Sequence, residues 1–437
     1  MCKELRCAVF LDSGSTSNNA RFDIFSAEPT SLVQKKQSML NAENDIKEVT
    51  ELPALTQTNA EQKSPDIESY TKLPFTNGLI GFCSYNFGEK LQLKELTAQP
   101  NEATTSGTLP SIFVGHYSWS YVFDHKDKQG YLTFSPLCST NIRQKILDLI
   151  NDLPEKDPST EKQNFELSQL KWIKSQSLDD YLKQFKSIQQ YIRDGDCYQV
   201  NLTQRFETYT KCSAVDHYFT TREQTQTPYS CYIAFNQNQS LLSFSPEQFI
   251  SIKNRVIESK PIKGTIANNG KNENLETLKN SKKNQAENVM IVDLIRNDLG
   301  KVCLSNSIHV PELFKVESYN NVHHLVSHIK GTLKHDVTEL DAFLACFPGG
   351  SITGAPKIRA MEIISELEIS SRDAYCGSVF YLNQHGNFDS NILIRTVVQN
   401  GEQLFCWAGG GIVADSEVMD EYQESLTKVA NITGITE

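Results

Sequence analysis

Residues 177–203, SLDDYLKQFKSIQQYIRDGDCYQVNLT, hold a helix and a strand in one run, and the change of period between them sets the class of fold. Leu178, Tyr181, Leu182, Phe185, Ile188, Tyr191 and Ile192 recur at i, i+3, i+4 and i+7, the spacing of one buried helical face. Ser177 with Asp180 makes a capping-box start, and Gly195 supplies a stop. From Tyr198 to Thr203 the pattern alternates, as in a half-buried strand. Outward from this stretch, 230–235 and 241–244 predict a strand pair, and helices are predicted over 281–299, 356–368 and 416–429. Toward the N-terminus, 8–11, 22–25, 78–85 and 120–123 predict strands flanked by turn residues. Strands and helices do not alternate as a βαβ series would, and no repeat of 20–50 residues is visible. The pattern suits an α+β fold built on large antiparallel sheets.

The chain has 437 residues with 42 basic against 53 acidic, a net charge of −11, and 39% of its residues are hydrophobic. That apolar share supports a sizeable core and excludes global disorder. No Lys/Arg run stands out, which argues against a nucleic-acid binder. No stretch of 18 apolar residues is available to span a membrane. The eleven Cys lie scattered without metal-type spacing. With a charged start where a signal peptide would be apolar, they predict reduced thiols and a cytoplasmic protein. The polar run 41–70 reads as a long loop. Residues 151–163, NDLPEKDPSTEKQ, are the best linker. The expected organisation is an N-terminal region 1–150, a linker 151–165 and a catalytic region 166–437.

Chemistry concentrates in the second region. Glu417, Glu421, Glu424 and Lys428 stand at i, i+4, i+7 and i+11 and project from one helical face. A solvated charged face would look the same. The alternative is a row of carboxylates for a hard divalent cation, with Lys428 kept for an anionic group. Ahead of it, Gly409, Gly410 and Gly411 follow the apolar run 404–407, and three glycines leave backbone N–H groups open to a carboxylate or phosphate. They also read as a flexible turn. The segment 349–357, GGSITGAPK, fails as a P-loop, because Gly354 is followed by Ala355-Pro356 and not by Lys-Ser/Thr. Lys263, between Ile262 and Gly264, reads as a strand end entering a tight turn, where a partly desolvated amine becomes a nucleophile. Glu247 and His324 are each ambiguous alone.

Taken together, 261–265 (PIKGT), 286–302 (AENVMIVDLIRNDLGKV), 322–327 (VHHLVS), 347–368, 375–378 (YCGS), 391–396 (NILIRT), 408–416 (AGGGIVADS) and 421–428 (EYQESLTK) resemble the chorismate-utilising enzymes. The likeness is strong over 160–437 and weaker over 1–150, where 11–14 (LDSG), 21–29 and 78–88 match in order. It implies large antiparallel sheets packed as a sandwich, helices outside and the chorismate site between them. Within the family, anthranilate synthases have Ala in PIAGT where this chain has Lys263. Isochorismate and salicylate synthases have a Lys, serving as base for water attack, where this chain has Gln199. The resemblance therefore implies the branch that makes 4-amino-4-deoxychorismate, in p-aminobenzoate and folate biosynthesis.

It also implies roles. Lys263 would attack carbon 2 as Glu247 protonates the departing 4-hydroxyl, and ammonia would then displace the lysine by adding at carbon 4. His324 would orient or protonate around the ring. Thr265 and Tyr375 would contact substrate, and Arg395, above Gly409, Gly410 and Gly411, would hold a carboxylate. Glu287 and Glu424 would bind Mg²⁺ directly, with Glu421 nearby through water. Asn284 departs from the acidic residue many relatives carry there. Relatives can bind tryptophan near their LDSG-like segment, which makes Ser13 a regulatory candidate. No Cys lies in a glutaminase-type elbow, so a separate glutamine amidotransferase subunit is expected to supply ammonia. The competing readings are an anthranilate synthase component and a non-catalytic subunit that binds an aromatic ligand.

Overall fold

A computed structural model describes residues 4–14, 21–52, 72–93, 109–153, 167, 170–267, 272–318 and 322–435. Twenty-one strands form two sheets, and their pairings are antiparallel. The eleven-stranded sheet runs from Gly354–Ala355 through Gln199–Tyr209, Gln403–Ile412, Thr396–Asn400, Gln239–Ser245 and Tyr229–Ala234. It continues through Val9–Asp12, Phe22–Ser26 and Trp119–Asp124 to Gln129–Phe134. The ten-stranded sheet runs from Ile262–Ala267 through Val322–Thr332, Val256–Ser259, Gln248–Lys253 and Phe388–Asn391. It ends through Ser378–Asn383, Gly78–Cys83 and Ile112–Tyr117 at Ser31–Lys35.

The sheets pack face to face through aromatic side chains. Phe235 meets Phe82 and Phe113 with ring centroids 5.4 and 5.0 Å apart. Helices lie against the outer faces. Gln204 of the Gln199–Tyr209 strand donates to Ser425 of the Val418–Thr433 helix at 2.6 Å.

Two of the connections that cross between the sheets carry residues singled out in the sequence. Gln239–Ser245 belongs to one and Gln248–Lys253 to the other, so 245–248 is a crossover carrying Glu247. Phe388–Asn391 and Thr396–Asn400 are likewise in different sheets, so 391–396 is a second crossover, carrying Arg395. The two are tied together. Ile392 N donates to Glu247 O at 3.1 Å and Phe244 N to Arg395 O at 3.0 Å, while Ser245 Oγ donates to Ile392 O at 2.5 Å.

The helix Leu178–Arg193 has the predicted capping box, with Ser177 and Asp180 bonded reciprocally. Several expectations are corrected. The boundary near 151–165 does not divide the sheets: Val9–Asp12 pairs with Tyr229–Ala234, and Gly78–Cys83 with Ser378–Asn383. Neither region can bury its strand edges without the other, so N-terminal and catalytic regions are interleaved. Residues 154–166 themselves lie outside the described residues. The expected loop at 41–70 opens with a helix, Ala42–Thr50, capped by Asn41, and its remainder from 53 lies outside the described residues. The strand read through 85 stops at Cys83, because Ser84 accepts from Phe87 N and starts a helix, Tyr85–Gln92.

Gly409, Gly410 and Gly411 are not a turn. They lie within the strand Gln403–Ile412, opposite Thr203, Leu202 and Asn201. Lys263 is not at a strand end. It sits inside Ile262–Ala267, where the register slips between Ile262 and Thr265 and Gly264 has φ +82°. This is a bulge: one extra residue turns the lysine out of the ordinary alternation.

Candidate active site

One end of the eleven-stranded sheet gathers most of the residues singled out in the sequence. Gln199 opens its strand, Gly409–411 close theirs, Glu247 follows Ser245, and Arg395 precedes Thr396. The antiparallel register places these ends side by side. The strand Thr396–Asn400 pairs with residues 403–406 only, so among the described residues the 407–412 stretch keeps one backbone edge without a strand ladder. Lys428 Nζ reaches that glycine run and donates to Gly409 O at 3.0 Å.

The ten-stranded sheet contributes Lys263 and His324, and His324 stands directly across from Thr265 in register. The helix Lys282–Val302 packs on these strands and carries Glu287.

Charge and burial tune these groups against one another. Burial pushes the Glu247 carboxyl up to about 7, against the pull of Lys263, the Ser351 hydroxyl, Lys428 and Arg395. Ser351 Oγ donates to Glu247 Oε1 at 3.1 Å. Burial pushes the Lys263 amine below its ordinary 10.5, while Glu287, Glu247 and Glu424 hold it up. Burial also takes His324 down to about 4, helped by the charges of Arg395 and His323, so its imidazole is neutral at pH 7. Arg395, at φ +52°, is held somewhat below its ordinary value by burial, with Glu247 opposing.

Tyr375 is buried in a tight turn whose N–H donates to Arg372 O at 2.8 Å. Gln199 is 1% exposed, and neither end of its amide meets a hydrogen-bond partner among the described residues. A Cβ at Gly411 would stand 2.5 Å from its Nε2, so that glycine makes room for the amide.

The acidic row on the last helix splits. Glu424 pairs with Lys428 at 2.7 Å, whereas Glu421 is buried and accepts from Ser416 Oγ at 2.7 Å. Glu417 is the helix's N-cap residue. Asn284 lies against Gly264, beside Lys263: a Cβ on that glycine would be 2.8 Å from its Nδ2. No group of three or more His, Cys, Asp or Glu among the described residues could hold a metal by itself. Glu287 and Glu424 both act on the Lys263 amine. Both carboxylates thus lie within electrostatic reach of that amine, and Mg²⁺, which keeps several waters and takes substrate oxygens, calls for few protein ligands.

Ser13 is elsewhere. Its N and Oγ both donate to Asp23 Oδ1, at 2.9 and 3.0 Å, and it lines a cavity of about 400 Å³ between the sheets, with Ser230, Lys260, Phe380 and Asn391.

Some residues escaped the sequence reading. Ser351 stands inside the glycine segment set aside as a failed P-loop, and the Glu247 contact is visible only in three dimensions. Arg372 is buried and makes a two-pronged pair with Glu368. It donates to Asn201 O at 2.9 Å, while Glu368 accepts from Thr203 N at 2.9 Å. The pair thereby fills a gap in the ladder along the edge of the Gln199–Tyr209 strand. An arginine one turn beyond a glutamate, at a helix end, was its only signal.

Two antiparallel sheets joined by crossovers, with a buried carboxyl, a buried amine and further carboxylates near the joint, define an α+β protein whose charged groups gather between its sheets. The sequence profile of the chorismate binding enzymes matches residues 7–434, and the chain belongs to that family. It is 37% identical over 433 residues to aminodeoxychorismate synthase component 1 of Escherichia coli, covering 97% of this chain and 92% of that protein. The Bacillus subtilis protein of the same name is 31% identical over 440 residues, covering 96% and 89%. Among solved structures, anthranilate synthase component I of Streptococcus pneumoniae superposes with a TM-score of 0.81 at 28% identity, covering 95% of this chain and 92% of that one.

Proposed function

We propose that this chain converts chorismate and ammonia to 4-amino-4-deoxychorismate, the step that precedes p-aminobenzoate and folate formation. The observation that carries the reading is Lys263: its amine is turned out at a bulge, lowered by burial and faced by Glu247 and Glu287. The names of the aminodeoxychorismate synthase relatives support it.

Lys263 Nζ attacks carbon 2 with its free pair, both conjugated ring double bonds shift by one position toward carbon 4, and the C4–O bond breaks. Glu247, still protonated near neutral pH, gives its proton to the leaving hydroxyl, which departs as water. Ammonia then adds at carbon 4, both double bonds shift back, the C2–Nζ bond breaks to restore the amine, and the Glu247 carboxylate takes back a proton from the added ammonium. Two easier steps replace one hard substitution. Neutral His324 orients the ring beside Thr265. Arg395 and Tyr375 bind the side-chain carboxylate, and Lys428 with the open edge of Gly409, Gly410 and Gly411 binds the other. Glu287 and Glu424 would hold Mg²⁺, with Glu421 through water. When bound, the ion neutralises the ring carboxylate and polarises the ring.

Ammonia comes from a separate glutamine amidotransferase subunit, consistent with the component numbering of the relatives. The setting is cytoplasmic; no helix among the described residues is long and apolar enough to cross a membrane. The cavity at Ser13 accepts an aromatic amino acid of tryptophan size.

A second reading, anthranilate synthesis, has support from the Streptococcus structure and from a Haloarcula marismortui anthranilate synthase component 34% identical over 372 residues. Product mass from chorismate, ammonium and Mg²⁺ separates the two. The 4-amino product retains the enolpyruvyl group, and anthranilate does not. Intact-protein mass of a quenched reaction should show a chorismate-derived adduct on Lys263, absent from Lys263→Ala. A Lys263→Ala variant that makes the 4-amino product at wild-type rate overturns the reading.

A further inference from the structure

We infer that Lys357 and Asp298 are positioning residues for Glu247: their buried ion pair fastens the 349–356 segment to the Lys282–Val302 helix and so holds the Ser351 hydroxyl on the Glu247 carboxylate. The inference rests on Glu247 being the acid of the proposed reaction.

The pair is enclosed. Lys357 Nζ lies 2.5 Å from Asp298 Oδ2, with both side chains 6% exposed. Lys357 also donates to Cys346 O at 2.8 Å, and Lys301 bonds the other Asp298 oxygen at 3.0 Å. A lysine taken this far from water is costly unless it is paired and hydrogen-bonded, and here a carboxylate and a carbonyl both receive it. Nothing in the proposed chemistry uses either residue.

Their placement explains them. Glu287, Leu294 and Asp298 stand at i, i+7 and i+11, one face of the Lys282–Val302 helix. Glu287 faces the site. Leu294 packs on Gly350 so tightly that a Cβ there would come within 2.3 Å of its Cδ2. Asp298 takes Lys357, the first residue of the Lys357–Leu367 helix. Ser351, next to Gly350, donates to Glu247. A void of about 20 Å³ is lined by Glu247, Gly350, Ser351, Cys346 and Asp298 among others, so the acid and Asp298 border the same space. The helix that carries a metal ligand thus also sets the hydrogen bond to the acid.

The Ser351 bond favours the charged carboxylate and limits how far burial raises it. The charges facing Glu247 are Lys263, Lys428 and Arg395; those facing Asp298 are Lys357 and Lys301. If the segment slackens, the hydroxyl leaves and Glu247 stays protonated to higher pH.

The test is the pH dependence of kcat/KM for chorismate at constant free ammonia. In Ser351→Ala and in Lys357→Met, the alkaline limb should move upward by on the order of one pH unit. The double variant Asp298→Asn with Lys357→Met leaves no lone buried charge, so it serves in place of Lys357→Met should the single variant fail to fold, and should show the same limb. Adding Ser351→Ala to it should move the limb no further, since both changes remove one bond. A pair variant with the wild-type limb overturns the inference, as does an additive shift. Glu247→Gln separates the two claims. Wild-type turnover in that variant removes the acid assignment itself, whereas an inactive Glu247→Gln with unmoved limbs removes only the positioning role.

Discussion

Glu247 and Lys263 are each displaced by burial and each drawn back by the other, and that balance governs activity and stability together. Glu247 stands at about 7 in the fold against an ordinary 4.5. Its protonated form is favoured by folding, so its contribution to stability is complete below pH 4.5 and is lost as pH rises through 7. Glu247→Gln should therefore lose turnover by about 10²–10⁴-fold. It should nonetheless melt at a higher temperature than wild type at pH 8, with the gap closing by pH 4. A lower melting temperature at pH 8 would show that the buried carboxylate is well compensated. Gly411 carries a second expectation. Gly411→Ala puts a methyl 2.5 Å from Gln199 Nε2 and must displace that buried amide, so turnover should fall while the fold survives. Circular dichroism with steady-state kinetics checks both halves. Glu247 and His324 were each ambiguous in the sequence. The fold separates them: burial raises the carboxyl to about 7, which keeps a proton on it part of the time near neutrality, and takes the imidazole down to about 4, which leaves it only a hydrogen bond to give.

At the scale of elements, the Ile262–Ala267 strand and the Lys282–Val302 helix act as a unit. Gly264 at φ +82° makes the bulge, and Asn284 closes over it. Gly264→Ala forces a side chain into a left-handed conformation costing about 1–2 kcal/mol. It also presses on Asn284, so melting temperature and turnover should drop together. An active, equally stable variant would mean the bulge is not needed to present Lys263. The helix also carries Glu287, and Glu287 with Glu424 would be few carboxylates for a cation. Glu287→Gln and Glu424→Gln should each abolish Mg²⁺-dependent turnover and weaken Mg²⁺ binding measured by calorimetry. Full turnover in excess EDTA would remove the metal from the scheme. Helices were the most legible elements. The Ser177 cap, the 3.6-residue stripe to Ile192 and the Glu421–Glu424–Lys428 face are all local patterns. The bulge was misread as a strand end because Pro261, Gly264 and the intervening lysine are equally suited to a turn.

At the scale of the molecule, the proposal that ammonia comes from a separate subunit makes a direct prediction. The chain alone should be inert with glutamine and active with ammonium, rising above about pH 8 as unprotonated NH₃ accumulates. Glutamine-dependent product from the pure chain, followed by mass spectrometry, would reveal a glutaminase site within it. The linker-like 151–163 run predicted two regions, whereas strands from both ends of the chain interleave in both sheets. Composition can mark a polar connection, but it carries no information on which strand edges pair across it. The sequence by itself determined what is local: the helices and their caps, the α+β class, the spacing of carboxylates on one helical face, and the ordered blocks that mark the family. Only the tertiary structure decided that Glu247 and Arg395 ride the two crossovers and that Lys263 meets Glu287 from a separate helix. It alone decided that Ser351 and Lys357 stand behind the acid. The reason is that a carboxyl's proton and an amine's charge are set by desolvation and by neighbours a few ångströms away, and those neighbours arrive from strands and helices far apart in the chain.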